Sequence, residues 1–154
     1  MRRRLFLTLL FCLLAAPLPA LAATGHIIKV LPQWLDLQGR HSLTPSLYDR
    51  DAYQAYLRTH QKLRSGLRFY IQWKARGPAA SPLKLRLELR GIANGNQPTQ
   101  LVLEYDVNPG GWFSHWTSLP VTGDEYRKFG DLSAWRATLW EDGRLLGEQK
   151  SFLW

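Results

Sequence analysis

The chain has 154 residues, of which 45% are hydrophobic, 12% aromatic and 21% charged, with 20 basic against 12 acidic residues, a net charge of +8 and one cysteine. Ordinary apolar content and near-absence of cysteine exclude a disordered tail, a collagen-like repeat and a disulfide-dense mini-protein, and the length suits one domain with a packed core.

Residues 1–23, MRRRLFLTLLFCLLAAPLPALAA, read in three parts: Arg2, Arg3 and Arg4, then an apolar stretch, then Pro17, Pro19 and small residues. This is the plan of a secretory signal peptide, with Ala20-Leu21-Ala22 as the small-x-small site that puts cleavage before Ala23 or Thr24. Arg3-Arg4-Leu5-Phe6-Leu7 also resembles the twin-arginine export motif. Cys12 follows Phe11 rather than a small residue, which argues against lipidation. Cleavage leaves 24–154 as one domain with 17 basic and 12 acidic residues, net +5, and no cysteine. The mature chain is then without disulfide, thiolate nucleophile or cysteine-bound metal, and its predicted location is periplasmic or secreted with no remaining membrane span.

Ile27 to Leu37 reads as a first edge strand interrupted by Pro32. Thr44-Pro45 followed by Leu47, Ala52, Tyr56 and Leu57 predicts a helix over about 45–60, with Thr44 as cap and proline at the first helical position. Leu67 to Arg76 alternates strictly, with Leu67, Phe69, Ile71, Trp73 and Ala75 opposing Arg68, Tyr70, Gln72, Lys74 and Arg76. A two-residue period means a half-buried strand. After the turn at Gly77 to Pro82, Leu83, Leu85, Leu87 and Leu89 oppose Lys84, Arg86, Glu88 and Arg90 in a second such strand, expected to lie antiparallel beside the first. Gly91 to Thr99 is a loop, Gln100 to Val107 a third strand and, after Asn108-Pro109-Gly110-Gly111, Trp112 to Leu119 a fourth. A short helix is expected over Gly123 to Phe129.

Leu132 to Glu141 and Arg144 to Trp154 flank Asp142-Gly143, a two-residue hairpin signal because both residues tolerate positive φ. That turn sets Trp140 opposite Leu145, Leu139 opposite Leu146 and Trp135 opposite Lys150, with Trp135, Ala137, Leu139, Leu146, Phe152 and Trp154 on the core face, although Glu148 and Lys150 share its parity. About seven short alternating strands and one inserted helix after the first describe a mainly β fold, an antiparallel sandwich of immunoglobulin-like or fibronectin-like architecture.

The chemistry-bearing motifs of nucleophile elbows, zinc helices, phosphate loops and calcium loops are absent from the sequence, and His26, His41, His60 and His115 are too widely spaced for a local metal pair. No cofactor is expected. Asp49 and Asp51 point about 200° apart on a helix and read as acids placed near its N-terminus. Two candidate surfaces remain. If the strands at 67–76 and 83–90 pair, Arg68, Lys74, Arg76, Lys84, Arg86 and Arg90 gather on one outward face against Glu88 alone, a surface for an anionic glycan or lipid. Trp112 and Trp116, with His115 between them on the opposite parity, form a candidate aromatic ligand patch.

The function these features imply is an exported, non-catalytic β-sandwich of a bacterial-type cell envelope that binds an envelope protein or anionic ligand, not nucleic acid. A small outer-membrane β-barrel, suggested by the terminal Phe152-Leu153-Trp154, and a polysaccharide-acting enzyme or carbohydrate-binding domain are the alternatives. Cell fractionation separates these readings: the sandwich is expected in the salt-extractable soluble pool, whereas a requirement for detergent would favour the barrel.

Overall fold

A computed structural model describes residues 23–77, 82–108 and 113–154. Residues 1–22 of the predicted leader, the tip of the 77–82 turn, the Pro109-Gly110-Gly111 break and Trp112 lie outside the described residues.

The described residues are mainly β, with seven strands in two antiparallel sheets. β1 (Thr24–Asp36), β2 (Arg64–Arg76) and β5 (His115–Thr122) form a three-stranded sheet in the order β1-β2-β5. β3 (Leu83–Ala93), β4 (Gln97–Val107), β6 (Asp131–Glu141) and β7 (Arg144–Lys150) form a four-stranded sheet in the order β4-β3-β6-β7. Helix α1 (Leu47–Thr59) and a short 3₁₀ turn (Gln61–Leu63) join β1 to β2, and α2 (Gly123–Phe129) joins β5 to β6. Among the described residues no helix is long and apolar enough to cross a membrane.

The inward rows are those the alternation marks. Leu67, Phe69, Ile71 and Trp73 of β2 and Leu83, Leu85, Leu87 and Leu89 of β3 are all buried, with Leu119, Val121, Ala137 and Leu139 in the same core. The Trp73 indole N–H donates to Thr117 Oγ1 at 2.9 Å, so the largest core ring leaves no orphaned donor. Most charged residues of the strands face outward, and the strands of the described residues form two separate sheets.

One expected pairing is corrected. β2 and β3 are not neighbours: β2 lies between β1 and β5, and β3 between β4 and β6. Alternation fixes which side chains turn inward, but two strands can bury their apolar rows equally well side by side or face to face across a core.

The β6–β7 register is also corrected. Trp140 does oppose Leu145, but a bulge then sets Leu139 opposite Gly147, Thr138 opposite Glu148 and Arg136 opposite Lys150. The extra residue reverses the parity of everything after Leu146. Glu148 therefore faces outward beside Arg136, with 2.7 Å between Arg136 Nη2 and Glu148 Oε2, while Leu146 still packs on the core. The bulge resolves the conflict of Glu148 and Lys150 with the core face. Beyond the strand Phe152 is fully exposed rather than inward, and Trp154 lies under Arg90, whose guanidinium carbon is 4.0 Å from the ring centroid.

Gly147 itself closes one side of the sandwich. A Cβ there would stand 2.5 Å from His26 Cα, so only glycine lets β7 approach the start of β1 this closely.

Helix α1 differs from its sequence reading in cap and contact. Ser46, not Thr44, is the N-cap and accepts from the Asp49 amide, while the Thr44 hydroxyl donates to Asp49. Leu47 and Tyr56 are exposed and Leu57 is the helix's one buried residue, so polar side chains dock it. Gln54 does most: its Oε1 accepts from Trp34 N at 2.7 Å, and its Nε2 donates to Trp34 O at 2.9 Å and His41 O at 2.8 Å. The amide imitates a neighbouring strand and covers the outer edge of β1, which would otherwise be open to pairing with another chain. Pro32 shares the phase of Trp34, so its missing N–H falls on this same outer edge and removes no ladder bond.

Replacing Gln54 with Ala should leave those backbone groups unpartnered and lower stability by about 1–3 kcal/mol. Urea unfolding should report that loss, and light scattering should show concentration-dependent association through the uncovered edge.

Candidate ligand-binding face

Opposed residues of neighbouring strands share a face, so the register defines the outer surface of the three-stranded sheet. Its rows are Thr24 and Arg76; His26 and Lys74; Lys29, Gln72 and Trp116; Leu31, Tyr70 and Ser118; and Gln33, Arg68 and Pro120. Four fixed cations, Lys29, Arg68, Lys74 and Arg76, stand on this face. β2 and β5 contain no aspartate or glutamate, and β1 contains Asp36 alone.

Asp36 is held elsewhere. Its carboxylate accepts from the Gln38 amide at 2.9 Å, the Arg40 amide at 2.8 Å, the Arg40 guanidinium at 2.9 Å and the Tyr53 hydroxyl at 2.8 Å. Burial, the largest single influence, pushes this carboxyl up, but the four donors together outweigh it and hold its pKa below the ordinary aspartate value. The same contact, after burial, pushes the Tyr53 hydroxyl up. Asp36 thus folds the 37–40 turn and docks α1 instead of neutralising the sheet.

One end of the face is roofed. His41 sets its ring edge-on to Tyr70 at 5.6 Å, and Gln33 is buried. Burial first, then the charges of Arg68 and Arg50, lower the His41 pKa and favour a neutral imidazole. Arg68 Nη1 reaches Tyr70 Oη at 3.4 Å, while its buried Nε has no partner among the described residues. Towards the other end His26, Lys29, Arg76 and Trp116 are exposed and Lys74 is half-buried. Trp116 keeps 52% of its surface in solvent, beside Gln72, whose amide donates to Ser114 Oγ at 2.9 Å.

The predicted six-cation surface is therefore divided between two sheets. Arg68, Lys74 and Arg76 lie on the three-stranded sheet, whereas Lys84, Arg86 and Arg90 lie on the outer face of the other. There the cations alternate with acids: Lys84 and Arg86 both reach Glu104, at 3.3 and 3.4 Å, Arg86 also reaches Glu88 at 3.2 Å, and Arg136 bridges Glu88 and Glu148. Arg90 stacks on Trp154. This is a neutralised network and not a field of one sign.

The aromatic patch is divided too. Trp116 faces outward and His115 the other way, with its ring 5.0 Å from that of core Trp73. Lys29 is the member of the cationic face that sequence reading missed. Its position depends on the bulge that sets Ile27 opposite Trp73 and Lys29 opposite Gln72, which no local pattern marks.

Arg64 is a cation of another kind. It is buried, donates to Leu57 O, Arg58 O and, at 2.8 Å, Asp131 Oδ1, and stacks 3.9 Å from the Trp34 ring centroid. It ties the end of α1 to the start of β6. No cluster of three or more metal-ligating side chains occurs among the described residues. No family model, curated protein or solved structure matches the chain.

Because the folded pKa of Asp36 is depressed, its contribution is full above the ordinary aspartate value and is lost as pH falls through the depressed one. Asp36→Asn should cost about 1.5–3 kcal/mol at neutral pH, as expected for bonds to a charged acceptor. In chemical denaturation at a series of pH values, the variant should also lose part of the acid-side fall in stability.

Proposed function

We propose that the protein is an exported, non-catalytic binding module of the cell envelope, periplasmic or secreted, that holds an anionic polysaccharide on the outer face of its three-stranded sheet. The observation that carries this reading is the charge segregation: one outer face holds Lys29, Arg68, Lys74 and Arg76 with no carboxylate among them, while the other is balanced by Glu88, Glu104 and Glu148. A cationic surface of this kind concentrates polyanions and speeds their capture.

A glycan suits the face better than a lipid surface. Trp116 offers a ring face for sugar C–H groups, and Gln72 and Ser118 offer hydrogen bonds between the cations. The leader-like residues 1–23 support export.

The finer fold assignment is part of the same proposal. The orders β1-β2-β5 and β4-β3-β6-β7 favour an immunoglobulin-like or fibronectin-like sandwich in which the fourth strand pairs with the third, on the sheet opposite to the one it joins in a constant-type immunoglobulin domain.

The test uses polygalacturonate immobilised on a column. Wild type should be retained at low salt and released as salt rises, because exposed charges are screened over about 8–10 Å at physiological ionic strength. Lys74→Glu with Arg76→Glu should weaken binding about tenfold or more, a change of about 1.4 kcal/mol. Lys84→Glu with Arg86→Glu should weaken it far less. Equal losses would reduce the effect to net charge, and tighter binding to phosphatidylglycerol vesicles than to polygalacturonate would replace the glycan with a lipid surface.

A further inference from the structure

Besides the Trp154 ring stacked on Arg90, the outer face of the four-stranded sheet carries an indole that the core does not explain. Trp140 on β6 stands opposite Lys84 on β3, and Lys84 stands opposite Asp106 on β4, so the three form one cross-strand row. Glu141 ends β6 after Trp140, and Asp142 and Gly143 make the turn that follows.

Thr138 has the same outward parity as Trp140, yet none of its surface reaches solvent. The Trp140 indole N–H donates to Thr138 Oγ1 at 2.8 Å, which ties the ring back along the strand towards that hydroxyl. Trp140 itself is half-buried, with part of its surface still in solvent. Pro82, Lys84, Asp106, Trp140, Asp142 and Gly143 line a cavity of about 460 Å³ around it, large enough for one or two sugar units.

We propose that this cavity binds a neutral sugar ring of a glycan. The C–H face of a pyranose packs on the indole, the Asp106 and Asp142 carboxylates accept from its hydroxyls, and Lys84 donates to its oxygens. Lys84 has donors to spare, since Nζ has three hydrogens and its contact with Glu104, at 3.3 Å, uses one. The mixture of signs selects for neutrality. Two carboxylates disfavour an anionic ligand, and the Lys84 ammonium disfavours a quaternary ammonium that an aromatic ring between carboxylates would otherwise attract. The Thr138 bond fixes the indole before the ligand arrives, which lowers the ordering cost of binding.

This site lies on the opposite sheet from the cationic face and does not depend on it. Titration of the whole protein with cellohexaose, chitohexaose, xylohexaose and maltohexaose, followed by tryptophan fluorescence and calorimetry, should find at least one that binds with a dissociation constant of about a millimolar. Asp106→Asn with Asp142→Asn, which leaves the ring and the fold in place, should weaken that binding about tenfold, whereas Tyr48→Phe, on the exposed side of α1, should leave it unchanged. Trp140→Phe, checked for folding by circular dichroism, should remove the fluorescence response. The proposal is overturned if none of the four sugars binds, if the double aspartate variant binds them as wild type does, or if tetramethylammonium chloride occupies the site in their place.

Discussion

The inner rows of β2 and β3 meet across one apolar layer, and the outward side chains of those two strands are placed by that contact. Leu67, Phe69, Ile71 and Trp73 on one sheet and Leu83, Leu85, Leu87 and Leu89 on the other are at most 2% exposed. Full burial of such side chains is worth about 1.5–3 kcal/mol each relative to exposure. Because side chains alternate with a period of two, fixing these rows inward also fixes Arg68, Lys74 and Arg76 outward on one side and Lys84, Arg86 and Arg90 outward on the other. The outer surfaces of these strands are the obligatory reverse of the core.

The margins of the sandwich are managed by specific polar and steric devices. Gln54 covers the outer edge of β1, Gly147 brings β7 against the start of β1, and Arg64 ties α1 to β6 through backbone carbonyls and Asp131. None of these is an apolar contact. A buried guanidinium such as that of Arg64 gives less net stability than its contacts suggest, since its desolvation offsets much of the gain. Its removal would still be costly, because it takes a buried donor from the Leu57 and Arg58 carbonyls and the buried cation from Asp131.

The two outer faces differ in the sign and spacing of their charges. On the four-stranded sheet, acids fall opposite or diagonal to cations, so Lys84, Arg86, Arg136 and Lys150 are met by Glu88, Glu104 and Glu148. On the three-stranded sheet the acid of β1 is withdrawn into the 37–40 turn, and the remaining cations add their fields. The proposed sugar cavity at Trp140 belongs to the balanced face and the proposed polyanion surface to the unbalanced one, so each ligand class meets the electrostatics that suit it.

The sequence by itself determined the mainly β class, the inward and outward residues of β2 and β3, the turn at Asp142-Gly143 and the presence of a helix before β2. Each rests on a local signal: a two-residue period, a turn dipeptide or a capping residue. Tertiary structure decided which strands are neighbours, which divided the six cations, and it decided the β1 bulge that brought Lys29 into the cationic row. It also decided the bulge after Leu145 and the polar docking of α1. Pairing of distant strands is settled by how whole apolar faces close over one another, and an alternating pattern carries the same parity whether its partner lies beside it or across the core.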